Sequence, residues 1–174
     1  MSLNVFDFDE LINSSERSAV HLEMRDAYGV AEENADFAAW KAGDHSSRRD
    51  RMGRRREWLE LVARTVARGV VMRRARIVSE PVSDYIRFEH EGTQLNIEVG
   101  EQVRWLPRRQ ASDIALPGND FWLFDDRVVR FGHFSGNGQY VGEDFTDIPA
   151  VAKLCASAFE AVWERGIPHE RFKV

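Results

Sequence analysis

The chain has 174 residues, of which 24 are Lys or Arg and 29 Asp or Glu, for a formal net charge of −5, and 43% are apolar. That length suits one domain with a proper core, and the composition excludes disorder through weak hydrophobicity. No apolar run approaches the ~18–20 residues of a membrane span, the opening MSLNVFDFDE is acidic, unlike a secretory leader, and the lone Cys155 excludes an intramolecular disulfide or a Cys-rich zinc site. The compartment expected is the cytoplasm.

In chain order, Phe6, Phe8, Leu11 and Ile12 suit a short helix that ends near Asn13-Ser14-Ser15. Val20, Leu22 and Met24 alternate through 19–24 and predict a strand. Over 31–42, Ala35, Phe37, Ala38 and Trp40 predict a helix closed by Gly43. Residues 44–53 are polar and Arg-rich, open to either a loop or the start of the next helix. From Arg54 to Arg68, Trp58, Leu61, Val62 and Val66 recur at helical spacing, and Gly69 is the natural stop.

The stretch 70–78 reads as a strand whose paired arginines argue for one solvated or ligand-facing side. Ser79-Glu80-Pro81 suits a helix entry, and Val82, Tyr85, Ile86 and Glu89 share one helical face. Leu95, Ile97 and Val99 alternate, so helix and strand compete over 93–99; continued helix to Gly100 is expected. A short strand follows over 102–106, then a loop over 110–118 with a turn of helix. Strands at 121–124 and 128–131 flank Asp125-Asp126-Arg127, a tight-hairpin signal. A Gly-rich segment, 133–142, adds an edge strand at 139–141. Asp147 is expected to cap a last helix, 149–164, with Val151, Leu154, Cys155, Ala158, Phe159, Val162 and Trp163 on its apolar face.

Charge is unevenly spread. Residues 41–76 hold 12 of the 24 basic residues against four acids, a local +8 that leaves −13 on the remaining 138 residues. One reading is a contact surface for nucleic acid or a protein partner, built on Arg48, Arg49, Arg51, Arg54, Arg55 and Arg56. The blander reading is an amphipathic helix whose outer arginines find carboxylates. It is favoured, because overall acidity opposes approach to a polyanion and only Trp58 lies among the arginines as a stacking aromatic.

Chemistry-bearing motifs are few. The five histidines, His21, His45, His90, His133 and His169, are far apart, and no HExxH, CxxC, GxxxxGK[ST] or GxSxG occurs. Neither a metal nor a cofactor is expected. Gly132–Gly138 lacks the strand-to-helix context of a phosphate loop and reads as a hairpin loop. Cys155, with no neighbouring His or Lys, reads as core packing. Asp125 and Asp126 read as turn formers.

Three runs carry a resemblance: VMRRARIVSEP at 71–81, GEQVRWLPR at 100–108 and LPGNDFWLFD at 116–125. Together they resemble an actinobacterial domain-of-unknown-function family whose members have this size and motif order, and the match runs from Phe6 to Phe172. Genes of that family often lie beside helix-turn-helix regulators and small partner proteins, which implies a regulatory or partner-binding role. The order of strands and helices around GEQVRWLP and FWLFDDRVVRFG is also similar to one half of a phospholipase D-like domain. Laying that superfamily's His-x-Lys-x4-Asp signature with its Asp on Asp125 puts Gly118 at the His and Asp120 at the Lys, with Gly132 on the turn glycine and His133 after it. Glycine cannot act as a nucleophile and an acid cannot neutralise a phosphate, so the resemblance implies a kept fold and lost phosphodiester chemistry. Relatives without the signature include ligand-binding sensor domains of transcription regulators.

The expected architecture is α/β: a mixed sheet of about five strands flanked by helices, a phospholipase D-like half domain over 69–168 with an N-terminal helical portion over 1–68. Ligands in such layers settle at the carboxyl ends of strands, expected near Ser79-Glu80, Leu106–Arg108 and Asp125-Asp126. The ligand-binding residues expected there are Tyr85, Glu89, Arg104, Trp105, Trp122 and His133. The function expected is a non-catalytic regulatory module that binds a small ligand or a protein partner such as a helix-turn-helix regulator. An enzyme acting on a phosphorylated or nucleotide-like substrate through Arg104, Glu89 and His133 is the alternative, and nucleic-acid binding by the arginines of 48–76 a third.

Overall fold

A computed structural model describes residues 6–44 and 47–174; of Glu32, residues 47–52 and Arg54 it describes the backbone alone. Five helices and seven strands are assigned among these residues: α1 (Phe8–Ser14), β1 (Ser18–Glu23), α2 (Ala31–Lys41), α3 (Ser47–Ala67), β2 (Val71–Val78), α4 (Asp84–Glu98), β3 (Gln102–Pro107), β4 (Phe121–Phe124), β5 (Val128–Phe134), β6 (Tyr140–Thr146), α5 (Pro149–Arg165) and β7 (Ile167–Pro168). The sheet order is β6-β5-β4-β1-β2-β3-β7, with β1, β2 and β3 parallel and the remaining neighbours antiparallel.

The sheet therefore has seven strands, not about five. β6 is longer than the expected 139–141, and β7 is a two-residue strand on the β3 edge, where its proline removes no ladder bond that matters. β1 lies at the centre, between β2 and β4, so a boundary at 68/69 does not divide the sheet. Two helix starts also differ. Ser83, not Ser79-Glu80-Pro81, opens α4, its hydroxyl accepting from the Ile86 N–H at 3.1 Å. Ile148 rather than Asp147 occupies the cap of α5, which starts on Pro149 without a side-chain cap.

Residues 93–98 continue the helix, with Val99 at its C-cap, because Thr93, Leu95 and Asn96 all face inward on its turn, which a strand's alternation would not allow. α4 stops at Gly100, where φ is +102° and a Cβ would sit 2.8 Å from Val66 of α3. The β4–β5 connection puts Asp125 and Asp126 both in left-handed conformation, φ 49° and 57°, within a three-residue loop between the paired Phe124 and Val128. Asp125 also accepts the backbone N–H groups of Glu16, Arg17 and Ser18 at 2.7–2.9 Å, tying the entry of β1 to the hairpin.

Alternation along the strands sends two different sets of side chains to the two faces. Val20, Leu22, Ala75, Ile77, Leu106, Leu123 and Val129 meet α5 through Ala152, Cys155, Phe159 and Val162. The opposite face is covered by α1 to α4. There Ala19, Met72, Trp122 and Phe124 pack on α1 and α3, and Val78, Val103 and Trp105 pack on α4 and the C-terminal Phe172. Between these two apolar clusters lies a strip of polar side chains.

Candidate functional site

On the α2–α4 face, register places Arg130, Trp122, His21 and Arg74 side by side across β5, β4, β1 and β2. One step along, Glu23 of β1 lies beside Arg76 of β2. These residues and groups from the covering helices line a cavity of about 200 Å³. Glu33 enters from α2, Arg55 from α3, Tyr85 and Glu89 from α4, and Tyr28, Asp120, Phe134 and Tyr140 from the loops and edge. The carboxyl ends of β1 and β2 open here, as the α/β rule requires. β4 runs antiparallel to β1, however, so its amino end with Asp120 joins the site. Asp125-Asp126 lies at the opposite end of the sheet, a correction to the expected placement.

Every guanidinium in the cavity is held by carboxylates. Arg76, only 4% exposed, sets its Nε 2.7 Å from Glu23 Oε2 and donates through Nη2 to Glu89 Oε2 at 2.8 Å. Arg74 donates to Glu101 Oε1 at 2.8 Å and Glu23 Oε1 at 3.0 Å, while Asn96 donates to the other Glu101 oxygen at 2.6 Å. Arg55 lies 3.3 Å from Glu33 and 3.7 Å from Glu89, so one side chain of α3 spans carboxylates of α2 and α4. Arg130 is paired with Glu143, which also accepts from the Tyr140 hydroxyl at 2.9 Å. Such buried pairs contribute little net stability, but breaking one leaves a costly bare charge.

Two tyrosines each serve a carboxyl group. Tyr85 donates to Glu33 at 2.8 Å, and Tyr28 donates to Asp120, whose other oxygen accepts the Met24 N–H at 3.0 Å. The two rings lie 6.1 Å apart. Burial pushes Asp120 up to about 6 against the Tyr28 hydrogen bond, and Glu23 adds to the rise. Burial together with Glu89 likewise raises Glu33 above the usual carboxylate range. His21 stacks on Trp122 at 4.3 Å; burial, then Arg74, Arg76 and Arg130, hold its imidazole neutral well below the usual value. Arg74, Arg76 and Arg130 thus gather about a neutral His21, while burial raises the carboxyls of Glu33 and Asp120.

Of the residues expected to bind ligand, Tyr85, Glu89 and Trp122 line this cavity and Arg104, Trp105 and His133 do not. Arg104 projects to the α5 side, over the Trp163 ring at 4.5 Å, and donates to the Trp163 carbonyl at 2.8 Å. Trp105 is fully buried, stacked on Phe172 and donating to His169 Nδ1 at 3.1 Å. His133 falls between Gly132 and Phe134, which line the cavity, so alternation turns it away; it pairs with Asp144 at 2.8 Å. The side chains of Arg48, Arg49, Arg51 and Arg54 lie outside the described residues. Arg55 turns into the cavity, and Arg56 pairs along α3 with Glu60 at 2.8 Å. His21, Glu23, Tyr28, Glu33, Arg74, Arg76, Asp120 and Arg130 were not among the expected ligand-binding residues, although the arginines of 70–78 argued for a ligand-facing side. The usable signal was the spacing His21-x-Glu23 and Arg74-x-Arg76, which puts charge on one face of two strands.

Cys155 is buried on the α5 side, and burial raises its thiol to about 11, so it packs as a small apolar group. Among the described residues, no cluster of His, Cys, Asp and Glu is arranged to hold a metal, and no helix is long and apolar enough to cross a membrane.

Known proteins share the fold at low identity. Nuc from Salmonella typhimurium, a phospholipase D family member, is similar with a TM-score of 0.52 at 11% identity, over 92% of this chain and 86% of that one. NucT from Helicobacter pylori is similar with a TM-score of 0.50 at 13% identity, over 92% and 87%. The archaeal chromatin protein TrmBL2 gives 0.50 at 12%, over 91% of this chain and 47% of that one. At these identities the likeness is one of fold: a mixed α/β sheet with flanking helices, phospholipase D-like. No curated protein matches by sequence. Residues 6–174 match the family model described as "Domain of unknown function (DUF6879)", and the chain belongs to that family.

Proposed function

We propose that this chain is a non-catalytic regulatory module that binds a small ligand in the cavity over β1 and β2 and signals its occupancy to a protein partner such as a helix-turn-helix regulator. The observation that carries the reading is the cavity itself: a space of about 200 Å³ with aromatic walls and polar groups supplied by three covering helices and five strands. Drug-sized sites run to about 300–1,000 Å³, so the ligand is small. The phospholipase D-like alignment supports loss of phosphodiester chemistry, because Asp120, which stands where that signature has Lys, lines this cavity and would repel a phosphate. Arg55 offers the route outward. A ligand that rearranges Glu33 or Glu89 alters the ion pairs that hold α3 to α2 and α4, and α3 carries the Arg-rich segment.

Filling the cavity tests this. A Cβ at Gly132 would meet only Phe134, at an ordinary 3.6 Å, so Gly132→Leu is expected to fold and to occupy the space. Compounds from a metabolite panel that raise the melting temperature of the wild type should leave Gly132→Leu unmoved and be recovered chemically unchanged. Equal shifts in both proteins would remove the site from this cavity. A compound recovered as a product would make the chain an enzyme.

A further inference from the structure

The charges of the cavity specify what kind of small ligand it takes, and this inference rests on the ligand-binding reading above. Among the described residues, four arginines and four carboxyl groups line the space: Arg55, Arg74, Arg76 and Arg130 against Glu23, Glu33, Glu89 and Asp120. Two of the arginines have further carboxylates at their backs, Glu101 behind Arg74 and Glu143 behind Arg130. An anion entering here finds no guanidinium without a carboxylate partner and meets an excess of acid. A cation finds the total charge in its favour and, in Asp120, a carboxyl group whose side-chain partner is the neutral Tyr28.

What Tyr28 and Tyr85 leave open to a ligand is acceptor capacity. The Tyr28 and Tyr85 hydroxyl protons are already given to Asp120 and Glu33. Buried Glu23 Oε2, although 2.7 Å from Arg76 Nε, has no hydrogen bond of sound geometry, and neither has Arg76 Nε. His21 Nδ1 is buried without a hydrogen-bond partner as well. Aromatic rings of Tyr28, Tyr85, Trp122, Phe134 and Tyr140 surround these acceptors, and ring faces attract organic cations by about 0.5–2 kcal/mol each.

We propose that the ligand is a small organic cation, a protonated amine seated between Glu33 and Asp120 against the rings of Tyr28 and Tyr85. The upward shifts of Asp120, to about 6, and of Glu33 agree with this, because burial, the first cause of both, penalises a negative charge that an ammonium group would compensate. An ammonium group supplies that charge together with three N–H donors.

The test uses probes matched in threes, with one body carrying an amine, a hydroxyl or a carboxylate: tyramine, tyrosol and 4-hydroxyphenylacetate, and benzylamine, benzyl alcohol and benzoate, with inorganic phosphate as a further anion. Titration calorimetry on the full chain at pH 8 should show at least one amine binding tenfold or more tighter than its alcohol and its acid. Glu33→Gln and Asp120→Asn should each weaken that amine about tenfold, while their circular dichroism stays that of the wild type. Should Asp120→Asn fail to fold, Glu33→Gln alone decides. Absence of binding by both amines, or amine binding no tighter than alcohol binding, overturns the cation assignment. Tighter binding of a carboxylate or of phosphate that Gly132→Leu abolishes overturns it too, and leaves the ligand-binding reading standing. Amine binding that persists in Gly132→Leu fails both.

Discussion

The two faces of the sheet solve opposite problems. Under α5, Phe159, Val162, Cys155 and Ala152 meet Val20, Leu22, Ala75, Ile77 and Leu123 in a dry layer. Burying such a side chain contributes about 1.5–3 kcal/mol, and the charge at this layer's rim, Arg73 over the Phe159 ring, is paired with the exposed Glu160. Under α2 to α4 the same strands present His21, Glu23, Arg74 and Arg76, each desolvated and held by partners on another element. Similar burial thus stabilises on one side and demands exact pairing on the other. A sheet that spends two central strands on paired charges gives up stability it could have had from apolar residues, and that is the pattern expected of a site.

Substitutions on each face sharpen the contrast. The largest effect is expected for Arg76→Leu, which leaves Glu23 and Glu89 buried without their shared cation. It should cost about 3–5 kcal/mol in urea unfolding. The triple replacement of Glu23, Arg76 and Glu89 by leucine should recover most of that loss; if it does not, the charges serve the fold rather than a ligand. Phe159→Ala on the α5 face should cost a similar 3–5 kcal/mol as a cavity. That loss should be the same at pH 5 and pH 8, because Phe159 packs among apolar side chains.

A smaller effect separates the faces by pH. Asp120 titrates near 6 when folded, above its unfolded value, so between about pH 4 and 6 the folded state keeps a proton that the unfolded state has lost. Its contribution therefore falls as pH rises through that window, by on the order of 1–3 kcal/mol. Asp120→Asn should remove this slope in denaturant titrations across pH 4 to 8. His169, lowered to about 4 first by burial and then by His90, acts in the opposite sense and destabilises as pH falls from 6.5 towards 4. An unchanged slope in Asp120→Asn would show that the carboxyl is already ionised throughout.

Local pattern carried most of the secondary structure. The helix over 54–68, the strand over 70–78 and the hairpin at Asp125-Asp126 follow from spacing and turn chemistry within each segment. Of the paired arginines of β2, Arg74 lies on the strand's polar side, whereas Arg73 turns to α5, over Phe159 and against Glu160. Three of the expected ligand residues lie away from this cavity, for two reasons. Arg104 and His133 were grouped with the site by nearness to strand ends, whereas side-chain alternation turns each to the far side of its strand. Trp105 does lie on the site's face, but Phe172 and His169, more than 60 residues away, fold over it and close it off.

By itself the sequence determined where the chain coils into helix or strand, and that one face of β2 is charged, because these depend on neighbours within one or two turns. Only the tertiary structure decided that β1 lies between β2 and β4, that the amino end of β4 brings Asp120 beside Glu23, and that Arg55 joins Glu33 to Glu89. Those contacts link residues up to about a hundred positions apart. Strand order and direction, which no local periodicity encodes, decide which charges meet across the sheet.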